Sequence, residues 1–347
     1  MLLTILYFIL ILGVIVCVHE FGHFFFAKLF GIYVYEFAIG MGPKIFKWKR
    51  KNDETVYSIR AIPIGGFCSL AGEGTEEDKK IPKDRLLQSK PIWQRFLVMF
   101  FGAGNNFILA LVVLFFVGLI WGSVDVSTVV KETIPTSPAE VAGILPGDNI
   151  IKIDGNNVSS SGDVQFYLAL AKGETEFTVL RNETEVTIKV TPLTKEEQDE
   201  QKKDYSYGLS FVQTEKKGFF NAIKFGFQEF GVMVKQMILT FKGLFTGGVS
   251  VKELSGPVGI FGAVEETKKS GIYSVLQLLA LLSLNVGFVN LIPFPAFDGG
   301  RILFLIIEKI KGKPVKAETE NLIHTIGFFL LLALIIYVTI NDIIRLV

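Results

Sequence analysis

Four long apolar stretches constrain what this chain can fold into. They cover Leu2–Phe30, Trp93–Trp121, Ile272–Ile307 and Leu322–Val347, and each is long enough to cross a bilayer as an α-helix. Within hydrocarbon every backbone N–H and C=O group must be satisfied by the protein itself, which favours helices for stretches of this length. The sequence therefore predicts an α-helical polytopic membrane protein with about four transmembrane helices surrounded by lipid.

The first stretch carries the motif His19-Glu20-Phe21-Gly22-His23. Two histidines four residues apart lie on one face of a helix, so both can bind a single metal ion. Glu20 follows the first histidine, as does the general base of zinc hydrolases with this spacing. A signal peptide is excluded because the stretch is too long, lacks a basic amino-terminal region and would lose the motif on cleavage. The pattern predicts a zinc site inside a membrane-spanning helix.

A purely structural role is the alternative for His19, Glu20 and His23, with all three side chains buried and bonded to neighbours. The chain contains only 3 histidines, so this motif is rarely formed by chance. Ionisable side chains within a bilayer are also costly and usually functional. Both points favour the metal site.

Charge and composition exclude other classes of function. The formal net charge is +1 and charged residues make up 20% of the chain, and no basic stretch interleaved with aromatic residues indicates nucleic-acid binding. Cys17 and Cys68 have neither metal-ligand nor redox spacing, so they are expected to be free thiols.

The placement of lysine and arginine predicts the orientation of the spans. Basic residues concentrate between the first and second spans and between the third and fourth, and such loops are cytoplasmic by the positive-inside rule. Both termini and the large central segment are then expected to lie outside the cytoplasm. The basic residues are Lys44, Lys47, Lys49, Arg50, Lys51, Lys79, Lys80, Lys83 and Arg85 in the first loop and Lys309, Lys311, Lys313 and Lys316 in the second.

Residues 33–62 change to the two-residue period of β-strands. The alternation over 33–39 predicts one strand, followed by a turn at Gly40, Gly42 and Pro43. A second strand is predicted from Tyr57, ending at Pro63 and Gly65-Gly66-Phe67. This small sheet either packs against the metal-binding helix, where protein or a water-filled cavity must cover it, or forms an ordinary cytoplasmic hairpin.

The block from 123 to 213 resembles a PDZ domain. Ser137-Pro138-Ala139 precedes a short helical run, Asn149–Ile153 is a predicted strand, and Asp154-Gly155 is a predicted hairpin turn. A helix over Val164–Ala171 and two further strands, Glu176–Leu180 and Glu185–Val190, complete the order. PDZ domains commonly bind a peptide as an added edge strand. The alternative is that this block binds nothing and only restricts access to the site.

The predicted organisation has four parts. Residues 1–122 hold the first two transmembrane helices, the metal motif and the β-hairpin region, and 123–213 form the inserted PDZ-like α+β domain, expected to be extracytoplasmic. Residues 214–270 alternate apolar and charged residues at helical spacing, which suits an amphipathic helix at the membrane surface. Residues 271–347 hold the last two transmembrane helices.

The third apolar stretch supplies a candidate for the missing metal ligand. Open zinc sites normally use three protein ligands plus water, and the motif provides two. Pro293, Pro295 and Gly299 interrupt this stretch beside Asp298, and broken helices within membranes line cavities or sites. An aspartate at that depth needs a partner, and a metal held by His19 and His23 would be one. The remaining histidine, His324, lies outside ligand spacing and is expected to be structural.

The histidine motif and the run Asn290–Gly300, NLIPFPAFDGG, together resemble the site-2 protease family of intramembrane zinc metalloproteases. The PDZ-like block resembles the bacterial regulator-of-sigma-factor branch, in its form with a single such domain. Two departures are Phe297, where leucine is usual, and Ala103, where proline is usual in the second-span motif. Neither removes a candidate ligand.

The resemblance implies cleavage of peptide bonds in transmembrane segments of single-span membrane proteins, such as anti-sigma factors or signal-peptide remnants. It implies that His19, His23 and Asp298 bind Zn²⁺ and that Glu20 is the catalytic base. Asn290 is expected to hold substrate, and Gly65, Gly66 and Phe67 to belong to a β region that takes substrate as an added strand.

Two non-enzymatic alternatives also need an intramembrane metal. One is a zinc-stabilised chaperone or adaptor that binds peptides through the PDZ-like block, and the other is a zinc transporter. Neither needs a base beside the first histidine, so Glu20 favours the protease.

Overall fold

The structure, a computed structural model, describes residues 1–72, 76–171, 173–194, 196–198, 206–247, 250 and 254–346. The helices are α1 (Leu2–Leu29), α2 (Ile92–Trp121), α3 (Pro138–Val141), α4 (Ser161–Leu170), α5 (Phe219–Thr246), α6 (Pro257–Lys269), α7 (Ile272–Leu291), α8 (Asp298–Lys311) and α9 (Ala317–Leu346). The strands are β1 (Val34–Lys49), β2 (Val56–Leu70), β3 (Ser123–Thr133), β4 (Asn149–Ile153), β5 (Asn156–Asn157), β6 (Thr175–Arg181), β7 (Thr184–Val190) and β8 (Leu209–Lys216).

Four helices in the described residues are long and apolar enough to cross a membrane: α1, α2, α7 and α9. These are the four predicted spans. Large apolar side chains stay exposed along them, for example Leu330 at 59% and Ile336 at 53% on α9. Such continuous apolar surface is rare on soluble proteins and is what lipid requires. The chain is a multi-pass membrane protein.

The predicted break in the third apolar stretch is confirmed. Helix α7 ends at Leu291 and α8 starts at Asp298. Pro293 and Pro295 lie in the intervening turn, where their lack of an N–H group costs nothing because the helix is already interrupted. Asp298 is thereby placed in the first turn of a new helix.

The chain divides into two compact units, Met1–Val117 with Thr240–Val347, and Gly118–Leu239. One core of the first unit packs the end of α1 against the sheet and α2, and another packs the start of α1 against α6 and α7. The buried members are Ala27, Ile32, Val34, Leu70, Leu87, Val98 and Met99 in the former and Ile11, Ile15, Val264 and Val275 in the latter.

Strands β1 and β2 form a sheet in which one segment of β1 pairs with two different segments of β2. Residues 36–39 of β1 pair with 66–69 of β2 and also with 56–59, while 44–49 pair with 56–60. The segment 36–39 is therefore internal, and 66–70 has β1 along one of its sides. Cys68 donates its N–H to Glu20 of α1 at 2.9 Å. Of the two predicted alternatives, the structure shows the first: the sheet packs against α1, the helix that carries the two histidines.

Two details of the predicted hairpin differ from the structure. The predicted turn at Gly40, Gly42 and Pro43 lies inside β1, where Gly40 (φ +86°) and Gly42 (φ +84°) bend the strand and shift its register. The predicted end of the second strand at Pro63 and Gly65–Phe67 is wrong, because β2 bends at Gly65 (φ +85°) and continues to Leu70. A glycine within a strand marks a bend as often as an end.

A cluster of charges joins the β1–β2 turn to the end of α1. The Lys28 ammonium lies 2.6 Å from Asp53 Oδ1 and 2.9 Å from Glu54 Oε1, and Arg85 lies 2.7 Å from the same Glu54 oxygen. Burial alone would raise the pKa of Asp53, but the Lys28 ammonium, the Thr55 N–H and the Tyr57 hydroxyl hold it well below its usual range. This stabilisation is present above the unfolded pKa of about 3.9 and is lost as the pH falls through the lower folded value.

The second unit contains the sheet β7-β6-β4-β3-β8, with β5 paired to β4. Its core surrounds Phe177, Ile150 and Ile153. The predicted Asp154-Gly155 hairpin turn is confirmed: both residues have positive φ (47° and 74°) between paired β4 and β5, as a two-residue turn of this type requires. The predicted helix and strands correspond to α4, β4, β6 and β7.

Between 214 and 270 the predicted helical spacing corresponds to α5 and α6. Residues 248, 249 and 251–253 of this segment lie outside the described residues. Its location at the membrane surface stays a prediction.

Helices α1 and α2 come close together at Gly22. A Cβ atom added there would lie 1.8 Å from the Phe101 carbonyl oxygen, and the nearby Phe26 and Phe101 rings stack with centroids 4.1 Å apart. The absence of a side chain at Gly22 therefore sets the distance between the two helices.

We expect Gly22→Ala to separate α1 from α2 and lower the stability by about 1–3 kcal/mol or more, as overpacking does. Thermal unfolding of the detergent-solubilised chain measures this. Gly13→Ala on the same helix is the control, because no atom lies within 4 Å of its added Cβ. Equal unfolding temperatures for the two variants would contradict the expected role of Gly22.

Candidate active site

His19 and His23 lie on successive turns of α1 with their Nε2 atoms 3.3 Å apart. His23 Nδ1 lies 2.9 Å from the Val98 carbonyl oxygen, which can only accept a hydrogen bond, so Nδ1 carries the hydrogen. The Nε2 lone pair of His23 is then available to a metal. Fixing a ligand histidine through its other ring nitrogen in this way is common in metal proteins.

Asp298 reaches both histidines from the start of α8. Its Oδ2 lies 3.3 Å from His19 Nε2 and 3.4 Å from His23 Nε2. Glycines follow it because the chain folds back on itself: a Cβ on Gly299 would lie 2.3 Å from the Ile292 carbonyl oxygen, and one on Gly300 2.5 Å from that of Phe294. The broken helix thus places the carboxylate beside the histidine face of α1.

The side chains of His19, His23 and Asp298, together the metal group, fit a zinc ion. A tetrahedral zinc with ligand bonds of about 2.0–2.1 Å holds its ligand atoms about 3.3–3.4 Å apart, which matches the three distances. Asp298 Oδ2 is buried and has no hydrogen-bond partner among the described residues. A buried carboxylate oxygen without a partner is costly, and a cation bound between these atoms removes that cost. In the described part of the chain these are the residues grouped closely enough to hold a metal.

The backbone of helix α2 lies directly against His23 and Asp298. A Cβ on Gly102 would lie 2.3 Å from His23 Nε2 and 3.0 Å from Asp298 Oδ2. Asn105 of the same helix donates to the Val18 carbonyl of α1 at 3.3 Å. Helix α2 therefore contributes both to the contact with α1 and, at Gly102, to the shape of the site itself.

The candidate base, Glu20, lies beside the metal group and is held by the sheet. Its Oε2 accepts the Cys68 N–H at 2.9 Å, and a Cβ on Gly66 would lie 3.7 Å from Glu20 Cγ. Sequence reasoning missed the Cys68 contact because it ended the strand at Phe67. The glycine pair was the available signal, since a glycine in a strand often marks close approach of another chain segment.

The predicted substrate-binding residues lie on α7 and β2. Asn290 lies in the last turn of α7 and donates to the Val286 carbonyl at 2.9 Å. Gly65 lies at the bend of β2, and the Phe67 ring stacks under the Arg60 guanidinium at 4.6 Å. Of the three β-region residues, Gly66 lies against Glu20. Roles in binding substrate stay predictions for all of them.

A second polar contact at the site involves Asn106. This fully buried residue has its amide nitrogen 3.5 Å from His19 Nδ1, while its Oδ1 has no hydrogen-bond partner among the described residues. An asparagine inside a transmembrane helix was the signal, because such a side chain needs a polar partner.

A sequence profile of peptidase family M50 matches residues 7–334. The chain belongs to this family, the site-2 proteases. A relative from Clostridium perfringens, by name a zinc metalloprotease, is 40% identical over 342 residues, covering 98% of each chain. One from Staphylococcus aureus with the same kind of name is 35% identical over 99% of each chain. The regulator of sigma-W protease RasP of Bacillus subtilis is 34% identical over 99% of each chain.

The chain is accordingly an intramembrane zinc metalloprotease that acts on membrane proteins. The predictions of family, enzyme class and zinc cofactor are confirmed. The adaptor and transporter alternatives are disfavoured, since neither is a peptidase.

We expect Gly102→Ala to weaken zinc binding at least 10- to 100-fold, the usual effect of disturbing the surroundings of metal ligands. The added methyl group overlaps the space of His23 Nε2 and Asp298 Oδ2. Zinc content of the purified protein measures this. Gly104→Ala is the control, because the atoms nearest to its Cβ belong to the Phe100 and Phe101 rings, at 3.3 Å, and not to the three candidate ligands. Full zinc content in Gly102→Ala would contradict the arrangement.

Proposed function

We propose that His19, His23 and Asp298 bind the zinc ion of this intramembrane protease and that Glu20 is its general base. The observation that carries the proposal is the convergence of three ligand atoms at 3.3–3.4 Å with the glutamate in the same turn of α1. Zinc, when bound, would supply a Lewis acid that lowers the pKa of water and stabilises negative charge on the carbonyl oxygen.

The two oxygens of the Glu20 carboxylate have different roles. Oε2 accepts the Cys68 N–H, which fixes the orientation of the group. Oε1 is then the oxygen that takes the proton from the attacking water. The same proton passes to the leaving amine as the peptide bond breaks, so the carboxylate returns to its starting state.

Asn106 supports His19 in this arrangement. His19 faces the other ligands with Nε2, so in the metal-bound form Nδ1 carries the hydrogen and needs an acceptor. Rotation of the Asn106 amide by half a turn places its unpartnered oxygen at that nitrogen. Both histidines would then be fixed through Nδ1, His23 by Val98 and His19 by Asn106.

A transmembrane substrate must lose helical hydrogen bonds before its peptide bond can be attacked. The outer side of residues 66–70 is suited to replace them. Cys68 points its N–H away from β1, where Glu20 accepts it, whereas Ala71 donates to Tyr33 on the β1 side. By the alternation of a strand, Gly66 also faces outward, so its backbone N–H and C=O are placed to pair with a substrate strand while the Cys68 N–H stays on Glu20. We place the substrate strand here, with Gly65, Gly66 and Phe67 on the protein side and Asn290 holding the extended segment.

We expect Glu20→Gln to retain zinc and to cleave at least 10²- to 10⁴-fold more slowly, the usual contribution of a general base. Purified protein is incubated with a single-span substrate, and fragments and zinc content are measured. Glu265→Gln, the same change at a half-exposed glutamate on α6, is the control. Wild-type protein treated with a chelator should lose activity and regain it with added zinc. Full activity of Glu20→Gln refutes the base assignment.

We further propose that residues 123–213 form a PDZ-like domain outside the cytoplasm. The five-stranded order with β8 at its edge and helix α4 support a PDZ-like fold, and the basic loops support the orientation. An edge strand can take an added peptide, or the block can exclude substrates with large extracytoplasmic domains. Single-span membrane proteins are the proposed substrates. Anti-sigma factors are the first candidates because a relative is named for regulation of sigma-W, and signal-peptide remnants are the second.

The orientation can be measured by cysteine labelling. In a chain with Cys17 and Cys68 changed to serine, a cysteine at exposed Glu174 should react with a membrane-impermeant maleimide in intact cells. A cysteine at exposed Lys313 should react only after the membrane is opened. The reverse pattern would place the block in the cytoplasm.

A further inference from the structure

The last helix, α9, contacts the turn that carries Asp298. The Ala296 N–H donates to His324 Nδ1 at 3.0 Å. One turn further along α9, Gly327 allows close packing on the preceding residue: its Cβ would lie 2.4 Å from Pro295 Cβ and 2.6 Å from the Pro295 carbonyl oxygen. Two adjacent residues of the turn are therefore held by two successive turns of one helix.

Ala296 is in a conformation that an L-residue rarely adopts, with φ +84°. In this region the Cβ is crowded by the backbone, so the conformation persists only where surrounding contacts impose it. The hydrogen bond that the Ala296 N–H donates to His324 Nδ1 is such a contact. The conformation matters for the site because Asp298 follows two residues later, and a rotation at Ala296 would carry the carboxylate away from His19 and His23.

The state of the His324 ring supports a specific role at this position. Since Nδ1 accepts the Ala296 N–H, the ring hydrogen is on Nε2. That Nε2 is buried and has no hydrogen-bond partner among the described residues. Burying a donor without a partner costs stability. The favourable contribution of the His324 ring therefore comes from Nδ1, the nitrogen that faces the turn before Asp298.

We propose that His324 is a positioning residue for the zinc site, acting through the Ala296 backbone on Asp298. The inference rests on the proposed function, in which Asp298 binds zinc. His324 touches neither the metal group nor substrate. It fixes the left-handed conformation at Ala296 and so lowers the freedom of the carboxylate two residues on.

The test measures zinc release to a chelator from the purified full-length chain in detergent. His324→Ala removes the acceptor and should accelerate release about tenfold or more, in the range seen when support of metal ligands is lost. His324→Asn should restore slow release, because its Oδ1 occupies nearly the position of Nδ1 and also accepts. Thr325→Val is the control, since this exposed hydroxyl bonds only within α9, to the Asn321 carbonyl.

A double variant separates positioning from a general packing role. Glycine adopts positive φ without strain, so Ala296→Gly should restore slow zinc release in the His324→Ala background. Packing lost around the ring would not be recovered by a change in the turn. Release from His324→Ala at the wild-type rate overturns the inference, as does equal acceleration by Thr325→Val. Failure of both His324→Asn and Ala296→Gly to slow release overturns it as well.

Asp298→Ala distinguishes this failure from failure of the proposed function. If Asp298→Ala retains zinc as firmly as wild type, Asp298 is not a ligand and the proposed site falls. If Asp298→Ala loses zinc while His324→Ala does not, the ligand assignment stands and only the role of His324 is refuted.

Discussion

The structure depends on one unfavourable arrangement that a cation resolves. Two imidazole nitrogens and a carboxylate oxygen face each other at 3.3–3.4 Å within the membrane-spanning unit, and the carboxylate oxygen has no hydrogen-bond partner in the described residues. Left alone, such a buried charge would be expelled or neutralised. A divalent ion between them would turn the same three atoms into ligands that join α1 to α8.

Close approach of backbone segments brings the three side chains together. The chain uses residues without side chains wherever another element must come close: Gly22 between α1 and α2, Gly102 beneath the ligands, and Gly299 where the broken helix turns back. Van der Waals packing is the main attraction between helices in lipid, and it falls steeply with distance. A methyl group at any of these positions would therefore disturb helix packing and metal geometry together.

The sequence allowed the metal group to be predicted because its pattern is local. The spacing of His19 and His23 places them on one helical face, and Asp298 stood out as an aspartate among prolines and glycines in an apolar stretch. The spans, the break before Asp298 and the Asp154-Gly155 turn were also predictable from short windows.

The long-range contacts were not predictable in this way. The Cys68 N–H reaches Glu20 only because β2 bends at Gly65 and continues, and no pattern within the strand gives that register. His324 was expected to be structural because its partner, the Ala296 N–H, lies in the backbone. The contact between Asn106 and His19 joins residues that are distant in sequence. The membrane-surface position of residues 214–270 and the substrate contacts of Asn290, Gly65 and Phe67 stay predictions, since they involve molecules beyond the chain.

The hydrogen bond between Cys68 and Glu20 has a consequence for how accurately the scissile bond is positioned relative to the proposed base. The strand segment proposed to align the substrate is the same one that orients the base, so both share one frame of reference. A small shift of that segment would carry scissile bond and carboxylate in the same direction and leave their separation nearly unchanged. Thermal motion of the sheet would then change the distance between the scissile bond and the base less than if the two were held by separate segments.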